Sequence, residues 1–463
     1  MNLRYMISIA ASKLAIKVCR LIKHGGTTLP GKIAIKLYPG IIKTITKDFK
    51  IIMVTGTNGK TTTARIIGQI LKENNIQYIT NKSGANLVSG IVTTFTENVN
   101  LTGKSSSNTA LIEIDEAAFN VICNYIEPDI LVVTNFFRDQ LDRYGELYST
   151  LNSVKSGILK TQKTKLVLNA DDSLCASIAK DTGRSSVFYG FDINAYNGVS
   201  EAINSDAMYC LYCKEKYTYS FNVYGHLGGF SCPSCGYSRP DIDISCTSVT
   251  ELTSSYSTAV FSVNGENNKQ YEAKINLPGL YNIYNSLAAF ACSYVLGLPA
   301  EKSITALAGF ECGFGRMETI NVGNKNIKLI LVKNPTGFNQ VLNFLLTEDK
   351  QMHIAFVIND NLADGTDISW LWDVDFEKLQ VVCEKLAMLY TSGKRAEDMA
   401  VRLKYSGIPV DKIKIIHDYS MLINEGIDST PENHNFYILP TYTAMLEVRK
   451  VLKNKYKLKE FWK

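Results

Sequence analysis

Thr55-Gly56-Thr57-Asn58-Gly59-Lys60-Thr61-Thr62-Thr63 decides how this chain is read. A short apolar run, Lys50 to Val54, leads into it. Thr61 to Asn74 follows, with Ala64, Ile67, Ile70 and Leu71 at helical spacing. Strand, glycine turn and helix are the setting of a phosphate loop. The glycines let backbone N–H groups approach phosphate oxygens, and the helix N-terminus adds partial positive charge. Lys60 is placed for the β- and γ-phosphates of ATP and Thr61 for Mg²⁺, with Thr57, Asn58, Gly59 and Thr62 completing the cradle. The string is shorter than G-x-x-x-x-G-K-T, because Val54 stands five positions before Gly59.

Around the loop, strands and helices alternate. Leu111 to Ile114, Ile130 to Thr134 and Lys165 to Asn169 read as buried strands, the last two followed by Asn135 and by Asp171-Asp172. This predicts an α/β fold with a parallel sheet covered by helices on both faces. Ligands of such sheets sit beyond the carboxyl ends of the strands, where Thr55, Asn135 and Asp171 fall. From about residue 206 the chain turns rich in Tyr, Gly, Ser and Cys. Residues 256 to 275 alternate like antiparallel strands, with Asn264-Gly265 as a turn signal. Helical pattern returns at Asn282 to Leu296. A second, Rossmann-like α/β unit begins near Ile327, with strands at Lys328 to Val332, His353 to Ile358, Met388 to Thr391 and Phe436 to Leu439. The expected division is an N-terminal amphipathic helical segment (1–44), a central ATP-binding domain (45–312) with an insertion at 206–240, and a C-terminal domain (313–463).

The insertion holds Cys210-x2-Cys213, eighteen residues, then Cys232-x2-Cys235. Four thiolates at this spacing suit a closed tetrahedral Zn²⁺ site, a zinc ribbon. Gly236 and Gly228-Gly229 fit tight turns around the ligands. His226 is near, but four sulfurs fill the shell. Two disulfides or redox pairs are the weaker readings. The other cysteines (Cys19, Cys123, Cys175, Cys246, Cys292, Cys312, Cys383) follow no framework, which points to a reducing cytoplasm.

The 463 residues carry a formal charge of only +5, too little to argue for nucleic acid without a basic stripe. No run reaches the ~18 uninterrupted apolar residues of a membrane span. Met1 to Ile22 is apolar but broken by Arg4, Lys13, Lys17 and Arg20. It reads as a basic amphipathic helix, packed on a neighbouring domain or touching the inner membrane surface.

Further strings occur in one order and together resemble the Mur ligase family over residues 45 to 460. The T-G-T-N-G-K-T-T form of the loop is found in Mur and folylpolyglutamate ligases. Glu113-Ile114-Asp115-Glu116 stands where that family places a magnesium-binding glutamate, and either Glu113 or Glu116 fits. Thr134-Asn135 with Asp139-Gln140-Leu141-Asp142 and Gly145 resembles T-N-x-x-x-D-H-L-D-x-x-G, with Gln140 for the usual His. Gly279 to Asn285 with Ala288-Ala289 resembles G-x-H-N-x-x-N-x-x-A-A, which implies that Asn282 and Asn285 lie near the adenine. Gly315-Arg316-Met317-Glu318 resembles G-R-x-E, which implies an Arg316 contact to ATP phosphate.

Two departures narrow the resemblance. The loop starts at residue 55, without the N-terminal domain that binds a UDP-linked sugar in full Mur ligases. Lys333-Asn334-Pro335-Thr336-Gly337 replaces an Asp-containing string of amino-acid-adding relatives. The inserted ribbon and Asp360 to Asp373, similar to N-x-x-x-D-G-x-D-x-S-W-x-W-D, resemble the MurT branch. An EF-hand fails here, because positions three and twelve are Leu362 and Leu371.

The branch resemblance implies an ATP-dependent carbon–nitrogen ligase of peptidoglycan synthesis that amidates the D-glutamate of the lipid II stem peptide, with Lys60, Glu113 and Glu116 at the reaction. It implies a heterodimer with a GatD-type glutaminase, whose Cys–His site is completed by Asp364 or Asp367. The plain alternative is a solvated loop capped by buried Trp370 and Trp372. No cysteine stands in a G-x-C-x-G string, Glu311-Cys312-Gly313 being nearest, so ammonia is expected from the separate subunit. Competing readings are another Mur-like or folylpolyglutamate-like ligase that joins an amino acid, and an ATP-binding zinc-ribbon adaptor.

Overall fold

The computed structural model describes residues 3–21, 27–81, 84–138, 147–193, 195, 206–253, 255–265, 269–310 and 316–458. Asp139 to Asp142, Gly145 and the expected boundary at 312/313 lie outside them, as does the side chain of Arg316.

Helices α1 (Leu3–Leu21), α2 (Leu29–Leu37) and α3 (Ile41–Ile45) precede β1 (Lys50–Thr55) and α4 (Lys60–Glu73). Then come β2 (Tyr78–Thr80), α5 (Val88–Asn98), β3 (Thr109–Glu113), α6 (Glu116–Ile122), β4 (Ile130–Val133), α7 (Leu147–Leu159), β5 (Lys165–Asn169), α8 (Ser173–Thr182) and β6 (Ser186–Phe191). A hairpin, β7 (Thr218–Tyr224) and β8 (Leu227–Ser231), intervenes before β9 (Ile244–Leu252), β10 (Ser257–Val263), β11 (Lys269–Ile275), α9 (Leu280–Val295) and α10 (Ala300–Ala308). The nine strands outside the hairpin form one sheet in the order β11-β10-β9-β6-β5-β4-β1-β3-β2, parallel from β2 to β9 and antiparallel beyond.

β1 shows why the sheet lies buried on both sides. Ile51 and Met53 enter the core under α1, α3 and α5, while Ile52 and Val54 enter the core under α4 and α9. A strand with two dry faces reads as an unbroken apolar run, which is how Lys50 to Val54 reads. Val263 and Lys269 are separated by five residues, so Asn264-Gly265 opens a longer connection and is not a two-residue hairpin turn.

The second sheet has the order β12 (Arg316–Val322), β13 (Lys325–Ile330), β17 (Asn435–Pro440), β14 (Met352–Val357), β15 (Leu386–Ser392), β16 (Ile413–Ile415), antiparallel only at β12–β13. Helices α11 (Pro335–Leu346), α12 (Ala396–Tyr405), α13 (Tyr419–Ser429) and α14 (Tyr442–Tyr456) cover it. Met352, Ile354 and Phe356 of β14 face one core, and Ala355 and Val357 the other.

Candidate functional site

The site forms where β1, β3 and β4 end, on either side of the crossing from β3 past β1 to β4. That crossing is the topological switch point at which open α/β sheets bind ligands. Gly56 and Gly59 hold φ of +118° and +84°, values that an L side chain rarely adopts. A Cβ at Gly59 would also collide with the Asn285 amide. Asn135 braces the loop from β4: its Oδ1 accepts from Asn58 N at 2.9 Å and its carbonyl from Thr57 N at 2.8 Å. Thr134 Oγ1 donates to the Asn58 carbonyl at 2.7 Å. These bonds fix the loop before any anion arrives.

Lys60 Nζ lies 2.7 Å from Glu116 Oε1 and 2.6 Å from the Gly56 carbonyl. Both partners of the ion pair are nearly buried, Lys60 at 12 % and Glu116 at 6 % side-chain exposure. Thr61 Oγ1 donates to Glu113 Oε2 at 2.7 Å. Glu113 is itself held through its backbone: its N–H donates to Asn81 Oδ1 at 2.9 Å and its carbonyl accepts from Asn81 Nδ2 at 2.7 Å. The sequence left open which glutamate stands by the metal position. The structure puts Glu113 on the Thr61 hydroxyl and Glu116 on the Lys60 ammonium. Thr61 with Glu113 is an oxygen set that suits Mg²⁺, which favours oxygen ligands and retains several waters.

Asn285 and Asn282 follow on α9. Thr63 Oγ1 meets Asn285 Oδ1 at 3.4 Å, and Asn285 Nδ2 donates to Asn282 Oδ1 at 3.1 Å. The C-terminal domain reaches in as well. Lys333 Nζ donates to the Thr57 carbonyl at 3.3 Å and Asn334 Nδ2 to Asn58 Oδ1 at 3.0 Å. Between the domains lies a cavity of about 140 Å³, lined by Gly59, Lys60, Asn282, Tyr224, Met317 and Gln340 among others. The phosphate loop thus opens into a partly apolar slot of the kind that takes a nucleotide base. Nothing in the motif pattern flagged Lys333 and Asn334 as neighbours of the loop, although they were noted as a departure.

Tyr224 belongs to the inserted hairpin, a connection with no local sequence signal. Its ring stacks on Phe137 at 6.0 Å between centroids, and Phe137 packs against His226 at 4.5 Å. His226 Nε2 lies 3.3 Å from Asp172 Oδ1, both fully buried. Lower down, Arg239 Nε donates to Asp171 Oδ1 at 2.6 Å, and Tyr284 Oη to Asp171 Oδ2 at 2.6 Å. Burial pushes the Asp171 carboxyl up, against the opposing pull of Arg239, Tyr284 and the Phe191 N–H. The insertion is therefore clamped to the carboxyl edge of β5, and its tip walls the cavity.

At the other end of the insertion, Cys210, Cys213, Cys232 and Cys235 bring their sulfurs within 4.8 Å of one another. Cys210–Cys235 and Cys213–Cys232 are 3.5 and 3.3 Å apart, too long for disulfides. Tetrahedral thiolates at ~2.3 Å from a metal sit ~3.8 Å apart, so the cluster fits one ion. Gly236 (φ +73°) makes the second ligand turn as expected. The first uses Lys214 (φ +64°). Gly228 and Gly229 make no turn at all. They lie in β8, where a Cβ would strike the Phe221 carbonyl and Ser220 of β7.

In the segment after β14, Asp364 is buried. Its Oδ1 accepts from Thr443 N at 2.7 Å, and its Oδ2 from Thr443 Oγ1 and from Asn361 N at 3.3 Å. Asp367 is exposed and accepts from Ser369 N at 2.8 Å. The Trp cap is only partial: Trp370 is half-buried and Trp372 is exposed.

Residues 54–293 match the Mur ligase middle domain, and residues 331–445 match the MurT ligase C-terminal domain. The lipid II isoglutaminyl synthase (glutamine-hydrolyzing) subunit MurT of Streptococcus pneumoniae is 37% identical over 456 residues, covering 98% of each chain. The subunit of the same name from Staphylococcus aureus is 33% identical over 447 residues, 96% of each. Among solved structures, MurF from Acinetobacter baumannii superposes with a TM-score of 0.67 at 15% identity, over 92% of this chain and 81% of that one. A pseudomurein peptide ligase type C from Methanothermus fervidus gives 0.64 at 20% identity, over 92% and 84%. These two likenesses show the fold, and the full-length identity with the two subunits shows the branch. The chain belongs to the Mur ligase family of ATP-dependent ligases, in its MurT branch.

Proposed function

We propose that this chain is the ligase subunit of a lipid II isoglutaminyl synthase, which converts the D-glutamate of the lipid II stem peptide to D-isoglutamine. The observation that carries this is the 37% identity with a subunit of that name across 98% of both chains. The phosphate site supports it. A carboxylate is a poor electrophile because its leaving group is poor. Transfer of the γ-phosphoryl of ATP to the α-carboxylate oxygen releases ADP and gives an acyl phosphate. Ammonia then attacks the carbonyl carbon, phosphate departs, and the nitrogen loses a proton.

Lys60 holds charge at the β- and γ-phosphates, Asn58 and Asn135 fix the loop, and Asn282 and Asn285 flank the base. Arg316 is assigned to the phosphate by its place in the family string. Thr61 and Glu113, with Glu116 behind Lys60, would hold Mg²⁺, which neutralises charge that develops on transfer. The four cysteines would hold Zn²⁺ as a structural ion, and the ammonia would come from a GatD-type glutaminase that Asp364 or Asp367 completes. The substrate is lipid-linked, which places the enzyme's work at the inner face of the cytoplasmic membrane.

The test supplies the chain with Mg-ATP, ammonium chloride and lipid II and follows product mass and phosphate release. Amidated lipid with one phosphate per turnover is expected. Product formed from an amino acid and not from ammonia would overturn the reading in favour of an amino-acid-adding ligase.

A further inference from the structure

α1 is apolar on two opposite faces, and the fold uses only one. Tyr5, Ile9, Ser12, Ile16 and Cys19 point into the protein, where Ser12 Oγ meets Thr96 Oγ1 of α5 at 2.7 Å. On the far side Leu3, Ile7, Leu14, Val18 and Leu21 stand exposed, from 47 % for Val18 to 82 % for Leu21. At 100° per residue these five fall within roughly 60° of arc, opposite the buried set. A surface helix of a globular protein is expected to turn polar residues to solvent. A continuous apolar ridge there marks a contact surface.

The charge around the ridge says what the contact is. Arg4 flanks it on one side and Lys17 on the other, both exposed. Residues 1–47 contain nine Lys and Arg and not one Asp or Glu. That segment carries +9 in a chain whose total is +5, so residues 48–463 sum to −4. α1 holds four of the nine cations, Arg4, Lys13, Lys17 and Arg20, and no acid. An apolar ridge edged by cations matches an anionic bilayer, where the side chains enter the acyl boundary and the cations meet phosphate headgroups. A second copy of this chain would set one cation-rich, acid-free segment against another. No helix of the described residues is long and apolar enough to cross a membrane, so α1 lies on the surface.

We propose that the outward face of α1, centred on Leu14 and Val18, docks this protein on an anionic membrane surface. The proposal takes its use from the lipid-linked substrate proposed above. Its test does not depend on that substrate. The full chain is sedimented with vesicles of phosphatidylcholine containing roughly one-third phosphatidylglycerol, and with phosphatidylcholine alone. Binding is expected to the anionic vesicles, to fall with salt, and to drop at least about tenfold in L14E/V18E, with K17E weaker in effect. Both ridge positions are exposed, so the double variant keeps its melting temperature and amidates detergent-solubilised lipid II at the parental rate.

Equal sedimentation of L14E/V18E and the parent would overturn the proposal. So would absence of binding at low salt, or a solution dimer that the double variant dissociates, which would give the face to a second copy. A parent chain that sediments but amidates nothing sinks the ligase reading and leaves the membrane face standing.

Discussion

The two mainly parallel sheets each carry a polar loop at their carboxyl edge, and the loops are held in opposite ways. In the central sheet, Gly56 to Thr61 is braced from β3, α6, the end of β4 and the C-terminal domain, and the Lys60 charge is matched inside the chain. In the C-terminal sheet, the segment after β14 turns Asp364 inward to Thr443 and leaves Asp367 exposed. A loop that receives a small, highly charged ligand has to be rigid and self-neutral beforehand, since reorganisation during transfer costs rate. A loop with an exposed carboxylate is under no such demand.

The sharpest way to break this comparison is Lys60→Met. It removes the cation from the phosphate position and strands Glu116, which is 6 % exposed. Ammonia-dependent amidation should fall by about 10³-fold, roughly 4 kcal/mol of transition-state stabilisation. The melting temperature should fall too, because breaking a buried pair leaves an uncompensated charge. If only KM rose, Lys60 would bind ATP equally in ground and transition states, and the assigned role would be wrong.

A smaller effect separates the two aspartates. Asn at 364 would turn an amide N–H₂ towards Thr443, whose N–H and hydroxyl both donate to the carboxylate now. Asp364→Asn should therefore cost about 1–3 kcal/mol in urea unfolding. Asp367→Asn, at an exposed position, should cost almost none. Whichever variant loses glutamine-dependent amidation while keeping the ammonia-dependent rate marks the residue that orients the glutaminase histidine. If both variants keep the glutamine-dependent rate, the segment does not complete that site.

Legibility in the sequence followed the same division. The phosphate loop could be read because its parts are adjacent: β1, two glycines and α4 are consecutive, and each residue's task is set by its neighbours in the chain. The cysteine pairs could be read for the same reason. What stayed hidden was made by distance. Asn334 meets Asn58 across 276 positions, and no pattern in either stretch announces it. Tyr224 carries no sequence signal of its own and His226 is set aside by the four sulfurs, yet the hairpin brings them to Phe137 and Asp172 at the nucleotide cavity. Gly228 and Gly229 were misread as turn residues because a close strand crossing and a turn both ask for glycine. A buried Trp372 belongs to the alternative reading of the Asp360 to Asp373 segment. Instead its ring lies exposed, with the Arg402 guanidinium over it at 5.3 Å.

That arginine gives the smallest and cleanest contrast with Lys60. Arg402 is 5 % exposed and holds Glu377 through two bonds, Nη1–Oε1 at 2.8 Å and Nη2–Oε2 at 3.0 Å, but Glu377 is 56 % exposed. Arg402 also donates to the carbonyls of Leu371 and Val374, so it keeps partners if the carboxylate goes. The bonds from Arg402 hold the Glu377 carboxyl below its usual range. A depressed carboxylate contributes stability above its unfolded pKa and loses it as pH falls through the folded value. Glu377→Gln should thus cost no more than about 1 kcal/mol near pH 7, since the carboxylate faces water. The difference between Glu377→Gln and parent should then close as pH falls below the usual carboxylate range and through the depressed folded value, where both carry a neutral side chain. Urea unfolding of the pair near pH 7 and in acid measures it. A gap that persisted in acid would mean that the bond geometry at Arg402, and not the charge of Glu377, holds the chain beyond β14 in place.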